Sequence, residues 1–132
     1  MTEKFVPYHQ HLLLKGWATN PLREVDDLNK WFINLVESVG MKVVAGPTSV
    51  YVDDWGNEGL TGTVTLATSH ASIHIWDSIE VPMFQFDIYS CKSFTLDQVI
   101  ESFKDWELIR VEWMMIDRNH NIRVNSDGVF LY

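Results

Sequence analysis

The sequence predicts an α+β fold, a two-layer sandwich in which helices pack on one mainly antiparallel sheet. One segment carries apolar residues at helical spacing, whereas most of the remaining chain consists of short β-prone runs. Connections of turn length join these runs, which favours hairpins between antiparallel strands over the long crossovers of parallel ones. The 132 residues suit one domain, residues 1–132, and contain no repeat, linker or low-complexity tail.

The first two elements are a strand and a long helix. Tyr8 to Trp17 is apolar enough for a buried strand, and a turn-prone segment follows it. Asn20 can cap a helix that has Pro21 in its first turn and ends before Gly40. The helix is therefore predicted over about Pro21 to Val39, and its apolar face consists of Leu22, Val25, Leu28, Phe32, Leu35, Val36 and Val39.

The rest of the chain is predicted to be mainly strands. Thr95 and Gln98 form a capping-box pattern that opens a second helix, which continues to about Lys104. The β-prone runs are Met41 to Ala45, Ser49 to Asp53, Leu60 to Ala67, Ser72 to Trp76, Met83 to Cys91 and Glu107 to Asp117.

Composition and charge restrict the class of protein. A hydrophobic fraction of 46% argues for folding, and a formal charge of −8 argues against nucleic acid and anionic lipid as partners while mildly favouring cationic ligands. The one cysteine cannot form an internal disulfide, and Met1 to Pro7 lacks the pattern of a secretory signal. Every apolar run is too short to cross a bilayer. We therefore expect a soluble, cytoplasmic protein.

The run from Thr68 to Trp76 combines a hydroxyl nucleophile with imidazoles, and Cys91, at the end of a later strand, is the only thiol. A serine hydroxyl can attack the carbonyl that precedes it and exchange the amide for an ester. Loss of the serine α-proton then leaves dehydroalanine, and hydrolysis yields a pyruvoyl group. This reaction needs a strained turn, an oxyanion donor and a base, for which His74 is the candidate.

Strand parity restricts how these side chains can meet. On an unbroken strand Ser69 and His74 face opposite sides, so a turn or bulge near His70 is required to bring them together. Asp87, Tyr89 and Cys91 are predicted to share the face opposite Phe84, Phe86 and Ile88.

The run is similar to the self-processing segment of the bacterial-type S-adenosylmethionine decarboxylases, pyruvoyl enzymes with the motif Glu-Ser-His-x-Ser/Thr-Ile-His-x-Trp. Phe86 to Cys91 resembles the family's Ile/Val-Asp-Val/Leu-Phe-Thr-Cys run, and His11-Leu12 matches a His-Leu near the family's start. The resemblance covers roughly residues 60–92. Departures from the pattern are Thr68 in place of glutamate, Asp77-Ser78 in place of Pro-Glu, and Lys92 in place of glycine.

The resemblance implies a divergent decarboxylase of S-adenosylmethionine, or of a similar amine, in polyamine (spermidine) synthesis. Ser69 would become the pyruvoyl cofactor after cleavage at Thr68-Ser69, His74 would support processing, and Cys91 would protonate the substrate carbon. No metal or diffusible cofactor is then required. A homodimer with sites built across the two subunits is also implied. Further candidates for substrate binding are Tyr51, His70 and Asp87.

Two other functions stay open. Thr68 favours an unprocessed, catalytically inactive homologue that binds an adenosyl ligand or regulates an active partner. A metal-binding module would need converging histidines, although no compact ligand motif joins the four candidates. Those candidates are His9, His11, His70 and His74.

Several residues also have plain structural interpretations. Cys91 can simply be packed, as buried cysteines usually are, and His70 and His74 can bond to carbonyls. Tyr51 and Trp55 can stack on an adenine, and the acidic residues Asp53, Asp54 and Glu58 can be a solvated loop or meet a cation. The tryptophans expected in the core are Trp17, Trp31, Trp106 and Trp113.

Overall fold

The computed structural model describes residues 8–132. The prediction about a secretory signal in Met1 to Pro7 lies outside the described residues. The elements are β1 (Gln10–Ala18), α1 (Val25–Ser38), β2 (Val43–Val52), β3 (Gly59–Leu66), β4 (Ser69–Trp76), β5 (Met83–Ser90), α2 (Leu96–Glu101), β6 (Leu108–Asp117) and β7 (Arg123–Leu131).

The strands form one seven-stranded sheet in the order β2-β3-β4-β5-β1-β6-β7. Every neighbouring pair is antiparallel. The predicted α+β class and the antiparallel sheet are therefore confirmed. Within residues 8–132, no helix has the length and apolar character that a membrane span requires.

The first helix begins later than the sequence predicts. It starts at Val25, after Glu24, whose side chain makes no capping hydrogen bond. The predicted cap, Asn20, is instead bound to the segment before β6: its backbone N–H donates to the Trp106 carbonyl at 2.9 Å, and its amide donates to the Asp105 carbonyl at 3.1 Å. These hydrogen bonds hold Asn20 beside the sheet, so the local capping signal is overridden.

The second helix begins where the sequence predicts and ends earlier than predicted. The Thr95 hydroxyl accepts from the Gln98 N–H at 3.2 Å, and the Gln98 side chain accepts from the Thr95 N–H at 2.8 Å, which completes the capping box. The helix ends at Glu101, and turns replace the predicted continuation to Lys104. The two runs predicted around Gly46-Pro47 form one strand, β2, whose pairing with β3 shifts register there.

The last strand, β7, was not predicted from the sequence. Most of its residues are exposed, so it lacks the apolar and polar alternation that reveals a half-buried strand. It is an edge strand paired with β6, and Gly128 lies opposite Trp113. A side chain at Gly128 would come within 2.9 Å of the Trp113 indole, so this position accommodates only glycine without a shift.

One face of the sheet shares the hydrophobic core with both helices. Trp31 of α1 contacts Phe86 of β5 edge to face, and its indole N–H donates to the Ser102 carbonyl at 2.6 Å. Of the four tryptophans predicted in the core, Trp31 and Trp106 are buried, whereas Trp17 and Trp113 are half-buried. Fully buried core residues from the sheet, the helices and the turn after α2 are Leu12, Ile73, Ile88, Val111, Leu28, Phe32, Leu35, Val99 and Phe103.

The opposite face of the sheet, called the open face below, is more polar. Along β4 the exposed or half-buried residues His70, Ser72, His74 and Trp76 alternate with buried ones. A groove of about 630 Å³ crosses the open face. Side chains from five strands line it, namely Ser72, His74, Gln85, Asp87, Leu13, Lys15, Glu112, Met114, Asp127 and Val129.

Candidate active site

The turn between β3 and β4 has an unusual backbone conformation. Thr68 has φ of 56°, in the left-handed region that β-branched residues rarely adopt. Its hydroxyl donates to the Ala67 carbonyl at 2.7 Å. Such a conformation costs about 1–3 kcal/mol and persists only where the surroundings impose it. The peptide bond predicted for cleavage therefore lies directly after a strained residue.

Ser69 and Cys91 lie side by side where β4 and β5 meet this turn. Both are buried, with exposed fractions of 8% and 7%. The Cys91 N–H donates to the Ser69 hydroxyl oxygen at 3.1 Å, and the Ser69 hydroxyl lies 3.7 Å from the Cys91 sulfur. The sulfur also lies 2.7 Å from the Thr68 hydroxyl. The structure thus brings together Thr68, Ser69 and Cys91, all of which the sequence singled out.

The face of the sheet predicted for Cys91 is wrong. Asp87 and Tyr89 face the open side as predicted, but β5 ends at Ser90, so the alternation does not continue to Cys91. The Ser90 hydroxyl donates to the Lys92 carbonyl at 2.7 Å and accepts from the Lys92 N–H at 2.8 Å. This local turn directs Cys91 towards Ser69, which faces the core.

The environment of Cys91 favours the thiolate. A hydrogen bond between the Thr68 hydroxyl and the Cys91 sulfur, supported by the Ser69 hydroxyl, the backbone and the charge of Lys92, lowers the pKa of the Cys91 thiol below its ordinary value. Desolvation opposes this shift and is outweighed. The thiol is therefore more acidic than an ordinary cysteine, as suits a group that transfers a proton.

Replacing Thr68 with valine should raise the pKa of Cys91, because valine keeps the shape of threonine but removes the hydroxyl that lowers it. Thiolate absorbance near 240 nm measures this, and a Cys91→Ser chain supplies the blank because Cys91 is the only cysteine. Thr63→Val is the matched control, since Thr63 is exposed on β3. Equal midpoints of the thiolate titration in the native and Thr68→Val chains would show that the Thr68 hydroxyl does not lower the pKa of Cys91.

His74 lies away from Ser69 within the same chain. The pairing of β4 with β3 and β5 is continuous, so the bulge near His70 that would bring the two side chains together is absent from this strand. His74 faces the open side, where its Nδ1 lies 3.1 Å from the Thr61 hydroxyl. It is also further along β4 than Ser69, by about 16 Å at about 3.3 Å per residue.

His70 and Asp87 belong to a polar cluster on the open face. His11 Nε2 lies 2.7 Å and His70 Nε2 3.7 Å from Asp87 Oδ2, and the Ser72 hydroxyl donates to Asp87 Oδ1. Desolvation alone would raise the pKa of Asp87, but the hydrogen bonds from His11 and Ser72 and the charges of His11 and His70 lower it overall. Asp87 is therefore held as a carboxylate.

Two members of this neighbourhood were not named as site candidates from the sequence. Tyr89 OH lies 2.6 Å from His9 Nδ1, and the Arg118 guanidinium stacks over the Tyr89 ring at 4.3 Å. Arg118 Nη1 also lies 3.4 Å from His11 Nδ1. Strand parity was the available signal for Tyr89, whereas nothing in the local sequence indicated Arg118. Of the four histidines considered as metal ligands, the structure brings His11 and His70 together.

The residues considered for adenine stacking, Tyr51 and Trp55, lie far from Ser69. Tyr51 is on the edge strand β2 and pairs with Leu60, whereas Ser69 pairs with Leu66 at the other end of β3. This separates Tyr51 from Ser69 by about 20 Å along the strands. The Tyr51 hydroxyl donates to Asp77 at 3.1 Å, and Trp55 is 95% exposed in the following loop.

Comparison with known proteins decides the family. The model of the family described as S-adenosylmethionine decarboxylase matches residues 10–119. This chain belongs to that family. The match includes β1 to β6, and with them the Thr68 turn, Ser69 and Cys91.

Two individual archaeal proteins are also similar in sequence to this chain. The S-adenosylmethionine decarboxylase proenzyme of Methanococcus vannielii is 28% identical over 85 residues, and that of Methanococcus maripaludis is 26% identical over 84 residues. Each alignment covers 62% of this chain and 64% of the relative, which is less than two thirds of the relative's length. At this level of identity the chain is a divergent member of the S-adenosylmethionine decarboxylase family.

Proposed function

We propose that this family member is a self-processing, pyruvoyl-dependent S-adenosylmethionine decarboxylase of polyamine synthesis. The observation that carries the proposal is the position of the Ser69 hydroxyl, which is held by the Cys91 N–H at 3.1 Å directly after the left-handed Thr68. Conversion of the Thr68-Ser69 amide to an ester would release the strain stored at Thr68. Both archaeal relatives are named as proenzymes, which supports the same chemistry.

The proposed cleavage uses atoms of Thr68 and Ser69 alone, plus one water. The Ser69 hydroxyl oxygen attacks the Thr68 carbonyl carbon, the C–N bond breaks, and an ester replaces the amide. Loss of the Ser69 α-proton expels the Thr68 carboxylate. Hydrolysis of the resulting dehydroalanine releases ammonia and leaves a pyruvoyl group at the start of residues 69–132. A hydroxyl in a buried, hydrogen-bonded position suits this route, which needs no metal.

In the proposed decarboxylation, Cys91 is the proton donor. Once formed, the pyruvoyl carbonyl supplies the electron sink that releases carbon dioxide from a bound amino acid. The Cys91 sulfur lies 3.7 Å from the Ser69 hydroxyl oxygen, next to the carbon that becomes the cofactor. Its lowered pKa, caused first by the hydrogen bond with the Thr68 hydroxyl, makes it a stronger acid than an ordinary thiol, as suits a proton donor.

Intact-mass spectrometry of the purified chain tests the proposal. We expect two masses, one for residues 1–68 and one for residues 69–132 carrying a pyruvoyl group in place of serine. Thr68→Glu restores the family's motif residue, so it should be cleaved at least as completely as the native chain. A single full-length mass for both chains, at every time after folding, would overturn the pyruvoyl mechanism.

We further propose that His74 acts on Ser69 of a second copy. His74 is exposed on the open face of the sheet, on the polar side of the alternation along β4. A symmetric homodimer that shares its sites between subunits, as the family resemblance implies, would let this imidazole meet a Ser69 that its own chain keeps about 16 Å away along β4.

Mixing two inactive chains tests this arrangement. Ser69→Ala and His74→Ala chains should each stay intact when folded alone. After they are folded together, about half of the His74→Ala chains should be cleaved, because that is the share paired with an Ser69→Ala chain under random dimerisation. His120→Ala, which changes another exposed histidine, should cleave normally. If the His74→Ala chain is cleaved as completely as the native chain when it is folded alone, His74 is not the base.

The second candidate function is an unprocessed homologue that binds an adenosyl ligand or regulates an active partner. The observation that favours it is the orientation of His74, which leaves Ser69 without this imidazole in its own chain. In that case the native chain stays intact, and Thr68→Glu does not rescue cleavage.

A further inference from the structure

Three adjacent strands bring two imidazoles and a carboxylate together on the open face. His11 of β1 and His70 of β4 both pair with Tyr89 of β5, so they flank the same position of the middle strand. Asp87 lies two residues before Tyr89 and therefore projects from the same face. The carboxylate consequently reaches towards both imidazoles on the diagonal.

The distances match a shared ligand position. One potential ligand atom from each of His11, His70 and Asp87 lies within 4.8 Å of the other two. Asp87 Oδ2 is 2.7 Å from His11 Nε2 and 3.7 Å from His70 Nε2. Nitrogen and oxygen ligands about 2.0–2.2 Å from one ion are about 3–3.5 Å apart, so small side-chain movements suffice.

We propose that His11, His70 and Asp87 bind one divalent first-row transition ion, and that the ion is Zn²⁺. Imidazoles with a single carboxylate select this class of ion over Mg²⁺ or Ca²⁺, which prefer oxygen ligands. Three protein ligands leave the remaining positions to water or to a small ligand in the groove. The decarboxylation proposed above uses no metal, so this site is a separate property of the chain.

Ser72 and Arg118 have opposite effects on the proposed site. The Ser72 hydroxyl donates to Asp87 Oδ1, which orients the other oxygen, Oδ2, towards the imidazoles. Arg118 brings a positive charge to 3.4 Å from His11 Nδ1, which disfavours a cation bound at Nε2 of the same ring. Removing the Ser72 hydroxyl should therefore weaken binding, and removing the Arg118 charge should strengthen it.

Titration of the full chain with Zn²⁺, followed by calorimetry, and with Co²⁺, followed by visible absorption, tests the proposal. We expect one ion per chain. Replacement of His11 or His70 with alanine should weaken binding by more than about 100-fold, since loss of a group that only orients a ligand costs about 10–100-fold. Ser72→Ala should weaken it by about tenfold, and Arg118→Gln should tighten it by a few-fold.

His120→Ala is the matched control, because His120 is an exposed imidazole outside the cluster and outside the proposed processing machinery. It should bind both ions like the native chain. Binding is read directly, so the result does not depend on whether the chain is cleaved or active. Failure of the native chain to bind either ion, or undiminished binding by a folded His11→Ala/His70→Ala double variant, would overturn the proposal.

Discussion

Ser69→Ala is expected to give a chain of one intact mass that has no decarboxylase activity. Alanine lacks the oxygen that attacks the Thr68 carbonyl, and no other residue can become the pyruvoyl group. In the native chain that oxygen accepts from the Cys91 N–H at 3.1 Å. The expected effect is therefore complete loss of both cleavage and activity, measured by intact-mass spectrometry and by carbon dioxide release.

The Ser69→Ala chain should still fold, although less stably. The substitution leaves the Cys91 N–H without its acceptor in a buried site, which costs about 1–3 kcal/mol. Circular dichroism during heating should show a melting temperature several degrees below that of the His74→Ala chain, which also stays intact and keeps the Ser69 hydroxyl. Ser78→Ala, in an exposed loop, is the control and should cleave and melt like the native chain. A folded Ser69→Ala chain that still breaks after Thr68 would show that Ser69 is not the nucleophile.

The predicted fold was most accurate where one element buries one face. The apolar spacing of the first helix identified it because Leu28, Phe32 and Leu35 all enter the core. Its start was misplaced because Asn20 bonds to Trp106, which is remote in sequence. The strand β7 was missed because neither of its faces is consistently buried, so its sequence carries no period of two.

The candidate site was predictable in composition but not in arrangement. Resemblance supplied Ser69 and Cys91, and the structure places them in contact. Strand alternation correctly predicted that Ser69 and His74 face opposite sides of the sheet, because β4 is regular. The left-handed conformation of Thr68 was hidden, because threonine is a poor residue for it and only the surrounding turn imposes it.

The polar cluster on the open face shows more clearly that a sequence does not predict which side chains meet. His11, His70 and Asp87 come from β1, β4 and β5, and they meet because β5 lies between the other two strands. Sequence spacing gives the face of each residue but not this strand order. A sequence therefore indicates which side chains are available, whereas the order of strands decides which of them meet.

Cys91→Ala is the second variant with a large expected effect, and it should separate cleavage from decarboxylation. Of the groups near Cys91, self-cleavage uses the Ser69 hydroxyl and the Cys91 backbone N–H but not the thiol, and alanine retains that N–H. The thiol, by contrast, is the acid that faces the position of the future cofactor. We therefore expect near-native cleavage by intact-mass spectrometry and a fall of about 10²–10⁴-fold in carbon dioxide release from S-adenosylmethionine.

Cys91→Ser sharpens the test, because it keeps a proton at the same place in a much weaker acid. Its activity should lie between those of the native and alanine chains, while its cleavage should match both. A buried cysteine that serves only packing predicts a different pattern, in which both variants keep native activity and lose only stability. Since Cys91 is the one thiol in the chain, no second cysteine can replace it as the proton donor. Equal carbon dioxide release by the native, serine and alanine chains would therefore assign Cys91 to packing.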